Sequence, residues 1–170
     1  MVDKDARFYY DYILTTFFGC GYFPKAPGTF ASVVAAVPII FLPDSVRPLV
    51  LIISSIILFI VSIPSVRRIE AIAGDDSPII VIDEVIGVLV LFSSPLITIN
   101  IWTLLIGVII FRFFDIFKPW IIGRINAERG ALYVILDDVV AGVFAAVVLH
   151  FVVAVLELVF MVSFLKNIFI

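Results

Sequence analysis

Two acidic pairs stand out in this chain because each opens a long apolar run. Asp83 and Glu84 begin D-E-V-I-G-V-L-V, and Asp137 and Asp138 begin D-D-V-V-A-G-V-F-A-A-V-V. Two such helices side by side would gather four carboxylates, which repel one another unless a cation lies among them. Mg²⁺ prefers oxygen ligands of this kind. The pattern therefore predicts a metal site, although each pair alone is also explained by the positive end of its own helix.

A third charged segment, F-R-F-F-D-I-F-K-P-W, lies between the two acidic pairs. Arg112, Asp115 and Lys118 recur at intervals of three residues, which places them near one face of a helix. Arginine binds phosphate oxygens through its fork and lysine as a point charge. Asp115 is a candidate metal ligand or a partner for either cation. An internal ion pair that allows Arg112 to lie at membrane depth explains the spacing equally well.

A glycine- and proline-rich loop, G-C-G-Y-F-P-K-A-P-G-T-F-A-S, leads into an apolar helix at residues 19–32. Thr29 is a candidate cap for that helix. Free N–H groups at a helix start bind phosphate oxygens, and Lys25 adds a positive charge. We therefore consider Lys25, Gly28 and Thr29 as candidate phosphate-binding residues, with an ordinary capped helix entry as the alternative.

The composition is that of a membrane protein. The chain has 170 residues, of which 64% are hydrophobic and 15% charged, and its mean hydropathy is +1.28. Soluble domains average about 45–50% apolar and about 25% charged residues. The net charge of −3 provides no basic surface for nucleic acid. The length suits one membrane-embedded domain over 1–170, with a cytoplasmic N-terminal segment and Gly/Pro loop at 1–27 and a helical bundle at 28–165.

Five apolar runs follow one another between clear breaks in the sequence. They cover roughly 29–42, 48–63, 83–95, 101–114 and 139–165, and Pro64 is expected to end the second. The runs are apolar on every face, whereas the strands of a membrane barrel alternate apolar and polar residues. We predict an all-α fold, a compact polytopic membrane bundle of about five membrane helices plus short interfacial helices.

The number of membrane crossings does not follow directly from the number of helices, because a full span needs about 20 residues and several runs are shorter. Either charged flanking residues lie at membrane depth inside the bundle, or some helices do not cross completely.

The positive residues predict an orientation. With a cytoplasmic N-terminus and five crossings, nine of the eleven Lys and Arg residues lie inside, and only Arg47 and Lys166 lie outside. The same topology gathers all the carboxylates of the three charged segments at the cytoplasmic surface. A cation- or proton-coupled transporter is the rival hypothesis, but it predicts carboxylates spread across the membrane depth.

Several phosphate-transfer chemistries are excluded by missing motifs. His150 is the only histidine and lies in the middle of the last apolar run, which argues against a phosphohistidine intermediate. The chain contains no D-x-D-x-T/V run, no D-G-x-x-A-R run and no Walker-type loop.

Together, the motifs resemble the phosphatidylglycerophosphatase A family. That family shows G-x-G-x-x-P-x-x-P-G-T-x-x-S, D-E-x-x-G, F-R-x-x-D-x-x-K-P-W and D-D-x-x-A-G in this order. The matching residues are Gly19, Gly21, Pro24, Pro27, Gly28, Thr29 and Ser32, then Asp83, Glu84 and Gly87, then Phe111, Arg112, Asp115, Lys118, Pro119 and Trp120, and finally Asp137, Asp138, Ala141 and Gly142. The matches extend over most of the chain.

The resemblance implies a Mg²⁺-dependent phosphatase that converts phosphatidylglycerophosphate to phosphatidylglycerol and inorganic phosphate. It also implies a multi-pass protein of the bacterial cytoplasmic (inner) membrane, with the phospholipid substrate and the bilayer as its partners.

Roles for the charged residues follow from this resemblance and from the chemistry of the side chains. The expected metal ligands are Asp83, Glu84, Asp137 and Asp138. Arg112 and Lys118 are expected to neutralise the transferring phosphoryl group, and Asp115 to serve as a ligand or the general base. Direct attack by water and an aspartyl-phosphate intermediate both remain open.

Overall fold

The structure is a computed structural model that describes the backbone of residues 4–74 and 77–169 and the side chains of 5–74 and 77–161. Within these ranges all regular structure is helical, which confirms the predicted all-α class. The α-helices are α1 (Lys4–Thr15), α2 (Pro27–Ala36), α3 (Arg47–Ala73), α4 (Ile82–Phe92), α5 (Ile101–Phe117), α6 (Ile121–Asn126) and α7 (Ala131–Phe169). Two 3₁₀ segments, Cys20–Tyr22 and Val37–Phe41, flank α2.

Helix α4 is the centre of the bundle and packs against α2, α3, α5 and α7. Its closest approach is to α7, at Gly87 and Gly142. A Cβ added at Gly142 would overlap the carbonyl oxygen of Gly87, and one added at Gly87 would lie 2.8 Å from the carbonyl oxygen of Asp138. Small residues allow helix backbones to touch in this way. The contact brings the start of α4 beside the acidic residues of α7.

Helix α5 completes the group of helices around the site. Its N-terminus is closed by a capping box, in which the Asn100 side chain accepts from the N–H groups of Trp102 and Thr103. Its C-terminus stops at Lys118, whose φ of 43° and ψ of 55° are left-handed. Such a conformation is uncommon for a residue other than glycine. The turn ends α5 and starts the connection to α6.

In the part of the chain that the structure describes, two helices are long and apolar enough to cross a membrane. They are α3 and, within α7, the stretch from Ala131 to Met161. Large apolar side chains on both are exposed, for example Ile60 at 63% and Val147 at 66%, as expected of surfaces that contact lipid. By contrast, α4 has 11 residues and α5 has 17, fewer than the approximately 20 of a full span. Five crossings therefore remain a prediction.

Two helix boundaries differ from those predicted. Pro64 was expected to end the second apolar helix, but α3 continues through it to Ala73. Proline is tolerated inside membrane helices because the surroundings satisfy the backbone groups that it frees. The last helix begins at Ala131 instead of near Val139. Asp137 and Asp138 therefore lie well inside α7, and the positive end of a helix does not explain them.

Helix α1 is tied to α3 by an ion pair that the sequence did not reveal. Both oxygens of Asp11 accept from the guanidinium of Arg68, at 2.6 and 2.7 Å. Burial opposes ionisation of Asp11, yet hydrogen bonds from Arg68 and Ser65 outweigh burial and lower the pKa of this carboxyl. The pair fastens the N-terminal helix to the bundle.

Candidate active site

Three carboxylates converge at one end of the bundle. Asp83 and Glu84 come from the first turn of α4, and Asp138 comes from α7; one oxygen from each lies within 4.8 Å of the others. Asp83 and Asp138 are buried, at 8% and 3% exposure. Within the described part of the chain, Asp83 Oδ1, Glu84 Oε2 and Asp138 Oδ2 have no hydrogen-bond partner. Buried oxygens of like charge without donors are costly unless a cation lies among them.

These three residues fit a divalent metal ion. Their donor atoms are carboxylate oxygens, the ligands of hard cations such as Mg²⁺. The first turn of α2 also approaches them closely, because a Cβ at Gly28 would overlap Glu84 Oε1 and lie 3.0 Å from Arg112 Nη1. Gly28 therefore allows the start of α2 to lie against the acidic residues.

Asp137 has different contacts from Asp138. Its Oδ2 accepts from Lys118 Nζ at 2.5 Å, and its Oδ1 accepts from the Asp138 N–H at 3.1 Å. Consecutive residues on a helix do not point the same way, so one member of the pair faces Asp83 and the other faces Lys118. The structure thus brings three of the four predicted ligands together, whereas the fourth, Asp137, is paired with the Lys118 ammonium group.

Lys118 is held in its charged form by this contact. Burial alone would lower the pKa of the Lys118 ammonium group, but the hydrogen bond to Asp137 and the charge of that carboxylate outweigh burial and raise the pKa. The ammonium group also donates to Asn126 Oδ1 at 2.6 Å. The left-handed turn at Lys118 therefore positions a permanent positive charge beside α7.

Arg112 links the acidic group to α5. Its Nη1 donates to Glu84 Oε1 at 3.3 Å and forms an ion pair with Asp115. Its Nε is buried and has no partner among the described residues. The internal ion pair considered from the spacing is therefore present, and the guanidinium still has a free donor.

A cavity of about 210 Å³ contains these groups. Its charged lining residues are Asp83, Glu84, Asp115, Asp138, Arg112 and Lys118. Four carboxylates thus face two cations, so the described lining is acidic. A phosphate group would be repelled from this cavity unless a cation reduced its negative charge.

The Gly/Pro loop contributes less to the cavity than predicted. Gly28 lines it, but Lys25 is exposed and absent from its wall, and Thr29 faces a neighbouring apolar groove. Thr29 does not cap α2, because the helix starts two residues earlier at Pro27, with Ala26 as the N-cap and no side-chain cap bond. Proline at the first helical position has no N–H to satisfy, which makes it a suitable start.

The sequence did not mark several residues of the cavity wall, among them the pair before α4. Ser77 and Pro78, just before α4, form part of the cavity wall. A Ser-Pro pair is common in turns, so nothing in the sequence indicates that these two residues belong to a functional site. His150 lies away from the cavity: its Nε2 is 2.9 Å from Ser94 Oγ, beyond the other end of α4, in agreement with its expected absence from the chemistry.

The comparison with known proteins identifies the family. Residues 13–153 match the sequence pattern described as phosphatidylglycerophosphatase A. The chain belongs to the phosphatidylglycerophosphatase A family. The resemblance drawn from the four motifs is thereby confirmed.

Two relatives extend this result. The chain is 34% identical over 152 residues to phosphatidylglycerophosphatase A of Escherichia coli, covering 83% of this chain and 82% of the relative. It is 30% identical over 142 residues to a protein of Bacteroides thetaiotaomicron named "Putative phosphatidylinositol-3-phosphatase", covering 81% and 89%. No solved structure gives a significant match.

Membership of this family indicates a phosphatase, that is, a phosphoric monoester hydrolase. Together with the two long apolar helices, it also indicates a membrane protein.

Proposed function

We propose that this protein is a Mg²⁺-dependent phosphatase that hydrolyses phosphatidylglycerophosphate to phosphatidylglycerol and inorganic phosphate. The observation that carries the proposal is the 210 Å³ cavity, where carboxylates suited to a metal and cations suited to a phosphate line the same space. The name of the Escherichia coli relative supports this substrate. The name of the Bacteroides relative also refers to a lipid with a phosphate monoester, so the reaction class is shared.

The carboxylates of Asp83, Glu84 and Asp138 would hold the metal ion, since their unpartnered oxygens face one another. When bound, Mg²⁺ supplies polarisation of the phosphoryl oxygens and a water molecule of lowered pKa. The acidic lining thereby becomes able to accept an anionic headgroup.

The two cations act on the phosphoryl group. Arg112 has a buried, unpartnered Nε, and its Nη1 contacts the carboxylates of Glu84 and Asp115 in the cavity wall. In this proposal its fork binds the phosphoryl oxygens. Lys118, kept protonated by Asp137, neutralises charge that develops during transfer. Asp137 is thus a positioning residue in this proposal.

Asp115 is proposed as the group that accepts a proton from the attacking nucleophile. It is buried, lines the cavity and is paired with Arg112. When Arg112 turns towards substrate, the Asp115 carboxylate is freed to act as a base, and its position beside the acidic group brings it near the reacting water.

The remaining parts of the proposal concern the setting. The single domain over 1–170 is a bundle with five crossings, the cavity opens on the cytoplasmic side, and the protein lies in the bacterial inner membrane. The bias of Lys and Arg residues supports this orientation. Within the described parts of α4, α5 and α7, the buried acids lie only at the end near the cavity, which favours an enzyme over a transporter that relays ions across the membrane.

The deciding experiment measures phosphate release from phosphatidylglycerophosphate, with Mg²⁺ and with a chelator, at equal amounts of inserted protein. Asp83→Asn and Asp138→Asn are each expected to lose roughly 10–100-fold or more of the activity, as is usual when metal ligation is disturbed. Glu157→Gln, which alters an exposed acid of α7, is the matched control and should remain active. Near-normal turnover of both Asp variants at limiting Mg²⁺ would refute the metal assignment.

A further inference from the structure

An apolar groove lies between α2 and α5 and encloses about 420 Å³. Val33 and Ala36 of α2 form one wall, and Leu105, Val108 and Ile109 of α5 are among those that form the other. The groove is open to the side, since Val33 and Ile109 are 43% and 69% exposed. Its size lies within the range of about 300–1,000 Å³ that is typical of ligand pockets.

The groove adjoins the polar cavity at Arg112, which lines both spaces. Gly28 lines the polar cavity, and the next residue, Thr29, lines the groove. Helix α2 begins at the polar cavity and α5 ends there, so the groove extends away from it along both helices. From Ile101 to Ile116 it follows α5 over roughly 22 Å, at 1.5 Å per residue.

We propose that this groove holds one acyl chain of the lipid substrate while the phosphate monoester lies in the polar cavity, an inference that rests on the function proposed above. The argument is one of chemical complementarity. Among the described residues of the groove wall, Thr29 and Arg112 are the polar ones; Thr29 follows Gly28 of the cavity wall, and Arg112 lines both spaces. A molecule with an anionic head and a long apolar tail matches this sequence of surfaces, and Arg112 marks the boundary between head and tail.

The groove contributes more to the orientation of the substrate than to the free energy of binding. Lipid tails surround the protein and are as apolar as the groove, so a chain gains little free energy by moving from one to the other. A chain fixed along α5 nevertheless points its headgroup at the cavity. Orientation of this kind controls reaction rates strongly, since a misplacement of about 1 Å can cost 10²-fold.

The test fills the groove without touching the polar cavity. Val33→Trp and Leu105→Trp introduce a large ring into it, and Val147→Trp and Leu158→Trp do the same at exposed positions of α7. Two substrates are compared in phosphatidylcholine vesicles: dipalmitoyl phosphatidylglycerophosphate, and its deacylated headgroup, which has the same phosphate monoester but no tails.

We expect the groove variants to lose roughly tenfold or more of kcat/KM on the dipalmitoyl lipid, whereas their rate on the deacylated headgroup stays at the unmodified level. The α7 variants should retain both activities. Retention of the dipalmitoyl activity by both groove variants would overturn the proposal, and so would an equal loss on the two substrates, which would indicate a disturbed polar cavity.

A second measurement does not depend on catalysis. A diacyl phosphatidylglycerophosphate with a photoreactive group in one chain is bound in the presence of Mg²⁺ and irradiated, and labelling is scored whether or not phosphate is released. Labelling concentrated on α2 and α5, and lost in the groove variants, supports the groove even if no phosphate is released, in which case the proposed function alone fails. Equal labelling of α3 and α7 would show ordinary lipid contact, and a changed oligomeric state of the groove variants would show a second copy as the occupant; either result contradicts the proposal.

Discussion

Two arginines, Arg47 fully buried and Arg112 partly buried, lie at opposite ends of α4 and differ in the partners they have. Arg47, which is 1% exposed, donates to the carbonyl oxygens of Phe92 at 3.2 Å and Ile97 at 2.7 Å. Arg112 instead contacts the carboxylates of Glu84 and Asp115. The first arginine is held by main-chain carbonyls at and after the end of α4 and by the exposed carboxylate of Asp44, and the second by side chains that line a cavity.

On the function proposed above, the partners of these two arginines distinguish a structural charge from one that would bind the substrate. The carbonyls at the end of α4 carry partial negative charge and lack helical donors, so Arg47 satisfies them and joins α3 to the segment after α4. Those partners cannot leave without unfolding. The partners of Arg112 are side-chain carboxylates, whose place a phosphate would take on the function proposed above. Burial alone does not reveal this difference, whereas the identity of the partners does.

The largest effect is expected at Arg112. Arg112→Lys keeps the charge but loses the fork that binds two phosphate oxygens, so the rate of phosphate release should fall by about 10²-fold or more, as for other groups that stabilise a developing anion. The measurement is phosphate release at equal amounts of inserted protein.

The double variant Arg112→Gln with Asp115→Asn separates catalysis from charge balance. If Arg112 only offsets Asp115, removing both charges leaves no unpaired buried ion and activity should return. We expect a folded and inactive protein; an active one would assign Arg112 to the same structural class as Arg47.

A smaller effect on activity is expected where α4 and α7 touch. Gly142→Ala places a Cβ against the Gly87 carbonyl, which forces the helices apart and moves Asp138 away from Asp83. Overpacking of this kind costs about 1–3 kcal/mol of stability. The loss of activity at saturating Mg²⁺ should exceed the loss that unfolded protein alone would explain. A higher Mg²⁺ concentration should also be needed for the half-maximal rate.

Val143→Ala, at a half-exposed neighbouring position, is the control for that experiment. An unchanged Mg²⁺ requirement in Gly142→Ala would show that the acidic residues are not positioned by this helix contact.

Arg47 should behave in the opposite way to Arg112. Arg47→Met leaves the carbonyls of Phe92 and Ile97 without their donor, at a cost of roughly 1–3 kcal/mol of the free energy of unfolding. The turnover of the folded fraction should not change. Asp44→Asn is the control, because its carboxylate is 72% exposed and exposed pairs contribute little. A loss of turnover without loss of stability in Arg47→Met would contradict the structural role.

The smallest effect concerns the Asp11–Arg68 pair. The pKa of Asp11 is lowered from the ordinary value of 3.8, so the stabilisation it provides is present above that value and is lost as the pH falls through the lower pKa of the folded protein. Asp11→Asn should be less stable than the unmodified protein near neutral pH, and the difference should shrink in acid below about pH 4. Melting curves across this range provide the measurement, and a difference that grows in acid would refute the assignment.

Much of the site was predictable because its residues repeat in a local pattern. An acid followed by small residues about one turn later occurs on both α4 and α7, and Gly87 and Gly142 do bring Asp83 and Asp138 together. The role of Asp137 was not predictable. It depends on the left-handed turn at Lys118, and the sequence has no glycine or asparagine at that position to indicate the turn.

The errors in the fold have a similar cause, because long-range contacts determine where helices end. Pro64 is a strong local signal for a helix end, yet packing and the apolar surroundings of α3 override it. Arg47 was used only as a positive charge on the outer side, although it is fully buried and bonded to the end of α4. The position of an arginine in the sequence indicates that a charge lies near a membrane boundary, but not which backbone carbonyls its side chain will hydrogen-bond to.

The shortness of α4 has a consequence for where charged groups can lie in the membrane. Its 11 residues extend only about 16 Å, whereas the hydrocarbon layer is about 30 Å thick. The acids at one end of α4 and the Arg47 contact at the other are therefore closer together than the two faces of an ordinary bilayer. Because α4 is enclosed by α2, α3, α5 and α7, this difference in length is met inside the protein and not by the lipid. The longer helices α3 and α7 present the exposed apolar surface, so charged groups can lie closer together than the membrane is thick without contacting hydrocarbon.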